Sequence, residues 1–408
     1  MAALLVGIGV LSLILVSAFG GYLFLSGHFR QRLEYRVKGL DPDSPHFVFA
    51  IASLSDSLIT QGTAAHFWAD IDDIQAARLA LIESAQHSIE FETFTMTPGR
   101  RATDFAEALK LKAAAGIAVK VLADSFGAES LPASYWRSLT NAGVDVRFFN
   151  PFSARAPFDY LRRNHRKLLI VDQAVAMIGG AGIADRWDGQ DSSHTGVPWY
   201  DFEVEWRGEV VGLLTGFFRQ HWLDTGGEVE LSQYQVPSAA PSAPSPILIT
   251  PGDDPSMGDS PIRSLFQLCI ATAQHRLWIA SPYLLPDDAT CQKLAEIKQR
   301  GVDVRILTMG PKADKFYVYC VSRERYLPLL KAGIKIHEYQ PSMMHAKVVL
   351  MDDKWVSLGS ANLDPRSFFH NDELNLCTNA TDLIWDIEAF FEAGFGQSKL
   401  IRLQNWQR

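Results

Sequence analysis

The sequence predicts an α/β protein built from two homologous repeats, each a mixed sheet flanked by helices, related by a pseudo-two-fold axis. One N-terminal transmembrane helix precedes the repeats. Three observations predict this: an uncharged apolar run at the N-terminus, a strand and helix alternation that occurs twice in the same order, and a polar motif that closes each series. Such alternation is typical of α/β layers, and colinear self-similarity is typical of a duplicated domain.

The N-terminal segment, residues 2–26, carries no charged side chain. As a helix rising about 1.5 Å per residue it spans about 37 Å, enough to cross a hydrocarbon core of about 30 Å. A signal peptide is one alternative, but it needs a basic start and a shorter apolar core. A buried core helix of a soluble protein is the other alternative. Because Arg30, Arg32, Arg36 and Lys38 all follow the run, we expect a single-pass helix in the inner (plasma) membrane, with the catalytic domains cytoplasmic.

Composition sets further bounds. At 408 residues, with 47% hydrophobic and 21% charged residues, the chain is long enough for two domains with a large core. A net charge of −8 counts against a protein that coats nucleic acid, so no nucleic-acid partner is expected. The 4 cysteines lack paired spacing or a histidine cluster, which argues against disulfides and metal sites.

The elements of each repeat follow from periodicity and from glycine punctuation. In the first series, helices are predicted over 76–85, 104–115 and 134–142, and strands over 88–94, 117–122 and 144–149. Strands over 277–280 and 301–307 repeat this order, and 383–395 is predicted to be a helix docked on its own domain. The domains are placed at 41–236 and 247–408, with a Pro/Ala/Ser-rich linker at 237–246.

Each series ends in a His-x-Lys-x4-Asp motif. The two copies are His165, Lys167 and Asp172, and His345, Lys347 and Asp352. After the same gap come Gly179-Gly180 in the first copy and Gly359-Ser360 in the second. Side chains two apart in a strand share a face, so each histidine projects beside its lysine, and each aspartate marks the end of that strand. One such match arises by chance; two matches in corresponding places of a duplicated domain indicate function.

Two copies across a pseudo-two-fold axis would supply two imidazoles and two ammonium groups to one cleft. The lysines can hold the non-bridging oxygens of a phosphate. One histidine can attack phosphorus while the other protonates the leaving oxygen and then deprotonates the incoming water or alcohol. We expect neither a metal nor another cofactor, because the lysines supply the positive field. One ring should be neutral and the other charged, which predicts a bell-shaped pH–rate profile.

The motifs and their surroundings resemble the phospholipase D superfamily, and more narrowly its bacterial cardiolipin synthases. The resemblance is carried by residues 149–151, 163–167, 198–201, 281–286, 341–347 and 355–368. It implies two phospholipase D-type repeats and a phosphatidyl-histidine intermediate. His165 would be the nucleophile, His345 would be the acid and base, and phosphatidylglycerol, an anionic phospholipid, would accept the phosphatidyl group.

The resemblance also implies roles for residues around the motifs. Ser360, Asn362 and Gly180 would bind substrate, and the carboxylates of Asp201 and Glu373 would orient the imidazoles. The basic cluster at residues 160–167 is predicted to attract an anionic lipid head group or a nucleic-acid phosphate, and a solvated loop is the alternative. The tryptophans, Trp199 among them, are predicted to be packing residues.

Two departures from the family pattern leave alternatives open. Gly182 stands where the family usually has asparagine, so either a phosphate donor is lost or the glycine relaxes a turn. Cardiolipin synthases often carry two N-terminal spans, whereas this chain shows one. Phosphatidyl transfer is the favoured function. The alternatives are lipid hydrolysis through the same intermediate, a phosphodiesterase acting on nucleic acid and, least favoured, a degenerate membrane scaffold.

Overall fold

The structure is a computed structural model that describes residues 2–25, 36–37, 40–157, 159–190, 196–233, 244–252 and 260–406. The predicted basic residues Arg30, Arg32 and Lys38, and most of the predicted linker, lie outside the described residues.

The helices alternate with strands through most of the described chain. The helices are α1 (Ala2–Leu25), α2 (Phe47–Leu54), α3 (Ile71–Ser84), α4 (Arg100–Ala114), α5 (Ala133–Asn141), α6 (Glu209–Asp224), α7 (Pro261–Thr272), α8 (Asp288–Gln299), α9 (Phe316–Glu324), α10 (Tyr326–Lys331), α11 (Pro365–Phe369) and α12 (Thr381–Gly396). The strands are β1 (Leu58–Trp68), β2 (Ser88–Thr93), β3 (Ala118–Asp124), β4 (Asp145–Phe149), β5 (Arg163–Asn164), β6 (Leu168–Val171), β7 (Val175–Gly179), β8 (Glu203–Arg207), β9 (Ser245–Gly252), β10 (Arg276–Ala280), β11 (Asp303–Met309), β12 (Lys335–Tyr339), β13 (Val348–Met351), β14 (Trp355–Gly359), β15 (Asn371–Thr378) and β16 (Ser398–Ile401).

Local sequence explains where several helices begin. The Asp70 carboxylate accepts hydrogen bonds from the first backbone N–H groups of α3. Ser260 caps α7, whose first residue is a proline, and Asp287 caps α8. These side chains satisfy N–H groups that have no partner within the helix.

The strands form one continuous sheet across both repeats. Its order is β4-β3-β2-β6-β7-β8-β1-β9-β15-β14-β13-β10-β11-β12-β16, and β5 pairs with β15. Counting outward from the antiparallel β1–β9 pair, the two halves place equivalent strands in the same order. In each half three strands are parallel and their neighbours antiparallel. This arrangement confirms the two-repeat mixed sheet and places the pseudo-two-fold axis between β1 and β9.

Strand β9 overlaps the predicted linker. It begins at Ser245, and Pro246 pairs with Gln61 of β1. The last two residues of the predicted linker are therefore part of the sheet. Proline is accommodated near the first residue of a strand, where its missing N–H is least damaging.

Helices α6 and α12 join the repeats from one face of the sheet. Phe217, Phe218 and Trp222 of α6 belong to the same buried cluster as Phe390 and Phe391 of α12. The predicted C-terminal helix is thus docked in the core. The apolar strands β6 and β13, which follow the two motifs, are buried along their whole length, as central strands covered on both faces are.

Helix α1 is the one helix of the described chain that is long and apolar enough to cross a membrane, judged by length and composition. Its central window, Val6–Leu23, is not buried against the rest of the protein.

Candidate active site

Both motifs reach one cavity of about 400 Å³, lined by residues of the two repeats. His165, Lys167 and His345 are part of its wall. Lys347 lies behind the wall, 1% exposed, with its Nζ 3.1 Å from both ring nitrogens of His345. The structure therefore brings the two predicted histidines and two predicted lysines together.

Each motif is attached by its backbone to the opposite repeat. The N–H of His165 donates to the carbonyl of Asp372 in β15 at 2.9 Å. The N–H of His345 donates to the carbonyl of Tyr200 at 2.8 Å, just before β8. Because both attachments cross the pseudo-two-fold axis, neither motif is positioned by its own repeat alone.

The orienting carboxylates also cross between repeats. Nδ1 of His165 lies 2.9 Å from Oε2 of Glu373, and Nδ1 of His345 lies 2.8 Å from Oδ2 of Asp201. A carboxylate at Nδ1 holds the proton there, so the neutral ring carries its lone pair on Nε2, the nitrogen that can attack or accept a proton. Both carboxylates are fully buried.

Further side chains hold each carboxylate in place. Glu373 accepts hydrogen bonds from the Ser360 hydroxyl at 2.5 Å and the Ser367 hydroxyl at 2.6 Å. Asp201 accepts one from the indole N–H of Trp187 at 2.9 Å. Ser367 and Trp187 were not predicted as site residues; Ser367 lies within the stretch that carries the family resemblance, but nothing in the sequence pointed to Trp187.

Two of the predicted substrate-binding residues contact the carboxylates instead. Ser360 is 1% exposed and bonds Glu373. A Cβ at Gly180 would lie 2.0 Å from Oδ1 of Asp201, so the glycine lets that carboxylate approach the backbone. Asn362 does line the cavity; it is 3% exposed, and its Oδ1 has no hydrogen-bond partner among the described residues.

The two motif aspartates, predicted as catalytic residues, do not line the cavity with the histidines. Asp172 accepts from the backbone N–H groups of residues 86–88, and Asp352 from those of residues 274–276. Each lies at the end of its strand opposite the histidine, in a left-handed conformation with φ of 54° and 52°. Aspartate adopts this conformation more readily than most residues, and its carboxylate closes the turn where the next strand begins.

Burial sets the charge state of the four motif side chains. It lowers the pKa of His165 to about 4, although Glu373 opposes the shift, and that of His345 to about 3, with help from Lys347. Burial likewise lowers the pKa of Lys167 to about 8 and of Lys347 to about 7. In the free protein both rings are thus neutral at pH 7. The expectation of one neutral and one charged ring does not describe this state.

Gly182 is explained by space. Its φ is not in the left-handed region, so the glycine is not required by a turn. A Cβ there would lie 2.9 Å from the Trp187 ring and 2.8 Å from the carbonyl oxygen of Thr95. The equivalent pair in the second repeat is Asn362 with Ser367, whose hydroxyl accepts from the Asn362 N–H at 2.9 Å. The first repeat therefore combines a small residue, Gly182, with the large ring of Trp187. The second combines a larger residue, Asn362, with the small hydroxyl of Ser367.

The basic cluster at 160–167 is mostly internal. Arg163 lines the cavity but also pairs with Asp124, and Arg166 is fully buried against backbone carbonyls. Trp199 does more than pack, since it lines the cavity and its ring centroid lies 5.6 Å from that of His345.

The rest of the cavity wall was not predicted from the sequence. It contains cationic, acidic and aromatic side chains, namely Arg186, Lys315, Arg366, Asp314, Asp364, Tyr283, Tyr317 and Phe126. Phe126 and Tyr317 are 46% and 68% exposed. Among the residues that the structure describes, no group of three or more His, Cys, Asp or Glu side chains is arranged to hold a metal ion.

The family described as "Cardiolipin synthase, PLD-like domain" matches residues 79–188 and 267–394. Cardiolipin synthase 2 of Bacillus anthracis is 32% identical over 340 residues, which cover 83% of this chain and 65% of that protein. Cardiolipin synthase A of Pseudomonas syringae pv. syringae (strain B728a) is 33% identical over 325 residues, covering 79% of this chain and 66% of that protein. This chain thus spans slightly less than two thirds of the length of these relatives.

Solved structures with the same fold are more distant in sequence. Phosphatidylserine synthase of Haemophilus influenzae Rd KW20 is 16% identical, with a TM-score of 0.66 over 88% of this chain and 93% of that chain. Its likeness shows the two-repeat fold. The family match covers more than half of the chain and includes both motifs, so the chain belongs to the cardiolipin synthase family of phospholipase D-like proteins.

Proposed function

We propose that this chain is a membrane-anchored phosphatidyltransferase, a cardiolipin synthase that transfers a phosphatidyl group to phosphatidylglycerol. The observation that carries the proposal is the pair of crossed contacts, His165 with Glu373 and His345 with Asp201, beside two lysines at one cavity. Two carboxylate-held imidazoles meet the needs of a two-step displacement at phosphorus, one as nucleophile and one as acid and base.

In the first step Nε2 of His165 attacks phosphorus, and a P–N bond forms as the bond to the head-group oxygen breaks. His345, as the imidazolium, gives its Nε2 proton to that oxygen. The free protein disfavours this imidazolium, so the anionic phosphodiester must stabilise it on binding. Lys167 and Lys347 supply positive charge for the non-bridging oxygens.

In the second step neutral His345 takes the proton of an acceptor hydroxyl, whose oxygen attacks phosphorus. The P–N bond breaks, and His165 leaves as the neutral imidazole. His345 is again protonated and ready to serve as acid. The atoms and charges therefore balance over the cycle, and the motif aspartates take no part in it.

Other features support a phospholipid substrate. The cavity carries Arg186, Lys315 and Arg366, which suit anionic lipid phosphates. The exposed rings of Phe126 and Tyr317 at its mouth suit acyl chains and the membrane interface. Helix α1 would anchor the protein by a single pass in the inner (plasma) membrane, and the basic residues after it favour cytoplasmic catalytic domains.

Hydrolysis of phospholipids to phosphatidic acid is the main alternative, because water can resolve the same intermediate. A nuclease is less favoured, since the net charge of −8 opposes nucleic-acid binding.

The test uses membranes from cells that lack their own cardiolipin synthases, with this chain or its His345→Ala variant expressed. Labelled phosphatidylglycerol is supplied and the lipid products are separated. Cardiolipin formed by the wild-type chain alone supports the proposal. Phosphatidic acid alone assigns hydrolysis, and neither product from folded, membrane-inserted protein rejects both.

A further inference from the structure

Transfer and hydrolysis differ in what occupies the acceptor position next to His345. A transferase must hold an alcohol there against water at about 55 M, the ordinary concentration of the solvent, so it needs contacts to parts of the acceptor beyond the attacking hydroxyl. The wall of the cavity on the His345 side offers such contacts.

Tyr283 and Asp314 form a hydrogen-bonded pair on this wall. The Tyr283 hydroxyl donates to the two Asp314 carboxylate oxygens, at 2.9 and 3.1 Å. In the described part of the chain no lysine, arginine or histidine lies within salt-bridge distance of Asp314. The carboxylate therefore keeps free lone pairs inside a cavity that also holds both histidines.

The pair lies on the His345 side of the cavity. Tyr283 packs in the same cluster as Trp187 and Trp199. The ring centroids of these two tryptophans lie 5.4 and 5.6 Å from the ring centroid of His345. Asp314 is close enough to Lys347, which touches His345, to act on its charge.

Asn362 extends this group. The backbone around Tyr283 is tied to the residue after Asn362, because Ser281 Oγ accepts from the Leu363 N–H and the Leu285 N–H donates to the Leu363 carbonyl. The unpartnered Oδ1 of Asn362 is a second acceptor in the same wall.

The chemistry of this group selects its ligand. The Asp314 carboxylate and the Asn362 amide oxygen accept hydrogen bonds, and a phosphodiester anion has no hydrogen to donate, so these side chains suit hydroxyl donors. An ammonium head group would meet Arg186, Lys315 and Arg366 in the same cavity, which repel it. A neutral vicinal diol meets both conditions.

We propose that Tyr283, Asp314 and Asn362 form an acceptor subsite that binds a vicinal diol head group and presents one of its hydroxyls to His345. The inference rests on the proposed phosphatidyl transfer. One hydroxyl loses its proton to Nε2 of His345 and attacks phosphorus, while the neighbouring hydroxyl donates to the Asp314 carboxylate. By microscopic reversibility, the same subsite holds a diol that leaves in the first step.

The test compares acceptors that differ by one hydroxyl. The full chain in detergent micelles receives labelled phosphatidylglycerol with equal concentrations of 1-propanol or 1,2-propanediol, and the two phosphatidyl alcohols and phosphatidic acid are quantified. We expect about tenfold more transfer to the diol in the wild type, the effect of one hydrogen bond to a charged group. Asp314→Asn should bring that ratio close to one, because the diol loses its hydrogen bond to a charged acceptor.

Tyr283→Phe is the second variant, since it keeps the ring and removes the hydroxyl that holds Asp314; the diol preference should fall here too. Asp104→Asn, an exposed carboxylate on α4, is the matched control and should keep the wild-type ratio. Each ratio is internal to one protein preparation, so partial loss of folded protein does not change it.

Three results overturn the inference. If Asp314→Asn and Tyr283→Phe keep the wild-type preference, these side chains do not bind the acceptor. If ethanolamine is a better acceptor than the diol, the carboxylate serves a cation. If the wild type forms no phosphatidyl product with any acceptor, water included, phosphatidyl transfer itself fails; in the first two cases it stands.

Discussion

Single side chains decide which nitrogen of each imidazole faces phosphorus. Glu373 and Asp201 engage Nδ1 of the histidine that belongs to the other repeat, which directs Nε2 of both rings to the chemistry. Burial alone would raise the pKa of Asp201, but His345 and Lys347 lower it below its usual value. The carboxylate is therefore ionised when it holds the ring.

Replacing Asp201 with asparagine tests this positioning role. The same oxygen, Oδ2 of Asp201, accepts from the Trp187 indole and faces Nδ1 of His345. A neutral amide offers at that position either a weaker acceptor for both groups or an NH2 group that accepts from neither. We expect kcat to fall about 100-fold or more, with little change in thermal stability. Turnover of labelled lipid is measured beside the melting temperature in detergent. A variant with wild-type turnover would show that Asp201 does not orient His345.

We expect the loss of activity on the alkaline side of the pH–rate profile to follow the deprotonation of a lysine. Burial lowers the pKa of Lys347 to about 7, so its positive charge is present below that pH and is lost as the pH rises through it. We therefore expect kcat/KM to decline above about pH 7, since this parameter reports the free protein. Lys347→Arg, which stays charged, should move the decline to higher pH. An unmoved limb would assign the decline to another group, first of all Lys167, whose pKa burial lowers to about 8.

At this scale the sequence predicted part of the site. Spacing placed His165 and His345 correctly, because the strand period dictates which side chains share a face. It could not place Asp314, which joins the cavity only through tertiary packing. It predicted a catalytic Asp172, which the structure places against backbone N–H groups outside the cavity; a motif shows which residues recur and not whether they serve catalysis or folding.

Among the elements, the strand–turn–strand unit after each motif depends on its aspartate. Asp352 is 2% exposed and accepts from three consecutive backbone N–H groups at the start of β10. Without it those groups lose their acceptor, and a buried unsatisfied donor is destabilising.

Asp352→Ala should therefore lower the free energy of unfolding by about 2 kcal/mol or more. Turnover per folded molecule should stay within about threefold of wild type, since the carboxylate lies outside the cavity, at the end of β13 opposite His345. Thermal melts and turnover at a temperature where both proteins are folded separate the two effects. A loss of turnover in fully folded protein would support the predicted catalytic role of this residue.

The loop after β7 pairs a glycine, Gly182, with a tryptophan, whereas its counterpart after β14 pairs an asparagine with a serine. Gly182→Asn should collide with Thr95 and displace Trp187, which loses its hydrogen bond to Asp201. We expect this variant to be less stable and at least about tenfold less active. Adding Trp187→Ser recreates the pair found in the second repeat, and the double variant should recover part of both losses. A double variant that is worse than the single one would show that the two positions are not coupled.

The elements themselves were predicted well where the periodicity was long. The helix predicted over 134–142 is α5, which begins and ends one residue earlier. The strand predicted over 144–149 is β4, which begins one residue later and ends where predicted. Strand β1 was not predicted, although it joins the repeats. Buried and exposed residues do not alternate regularly along β1, so the strand lacks the period-two pattern from which a strand is predicted.

At the scale of the whole molecule, the two repeats complete each other. The β1–β9 pair continues one sheet through both, α6 and α12 share one core, and each histidine is held by the other repeat. The duplicated motifs predicted one shared cleft, but not that each histidine is held by a carboxylate of the other repeat. This exchange between the repeats depends on the pairing of β1 with β9, two strands that lie far apart in the chain.

Cutting the chain between the repeats tests this dependence. A protease site introduced within residues 237–243 allows cleavage of the folded, detergent-solubilised protein. Because the halves are joined through a buried core and a continuous sheet, we expect them to stay together in size-exclusion chromatography and to keep most of their activity. Residues 41–236 or 247–408 produced alone should be inactive, since neither contains a histidine with its carboxylate. Halves that separate after cleavage, or a single repeat with turnover, would contradict this account of the interface.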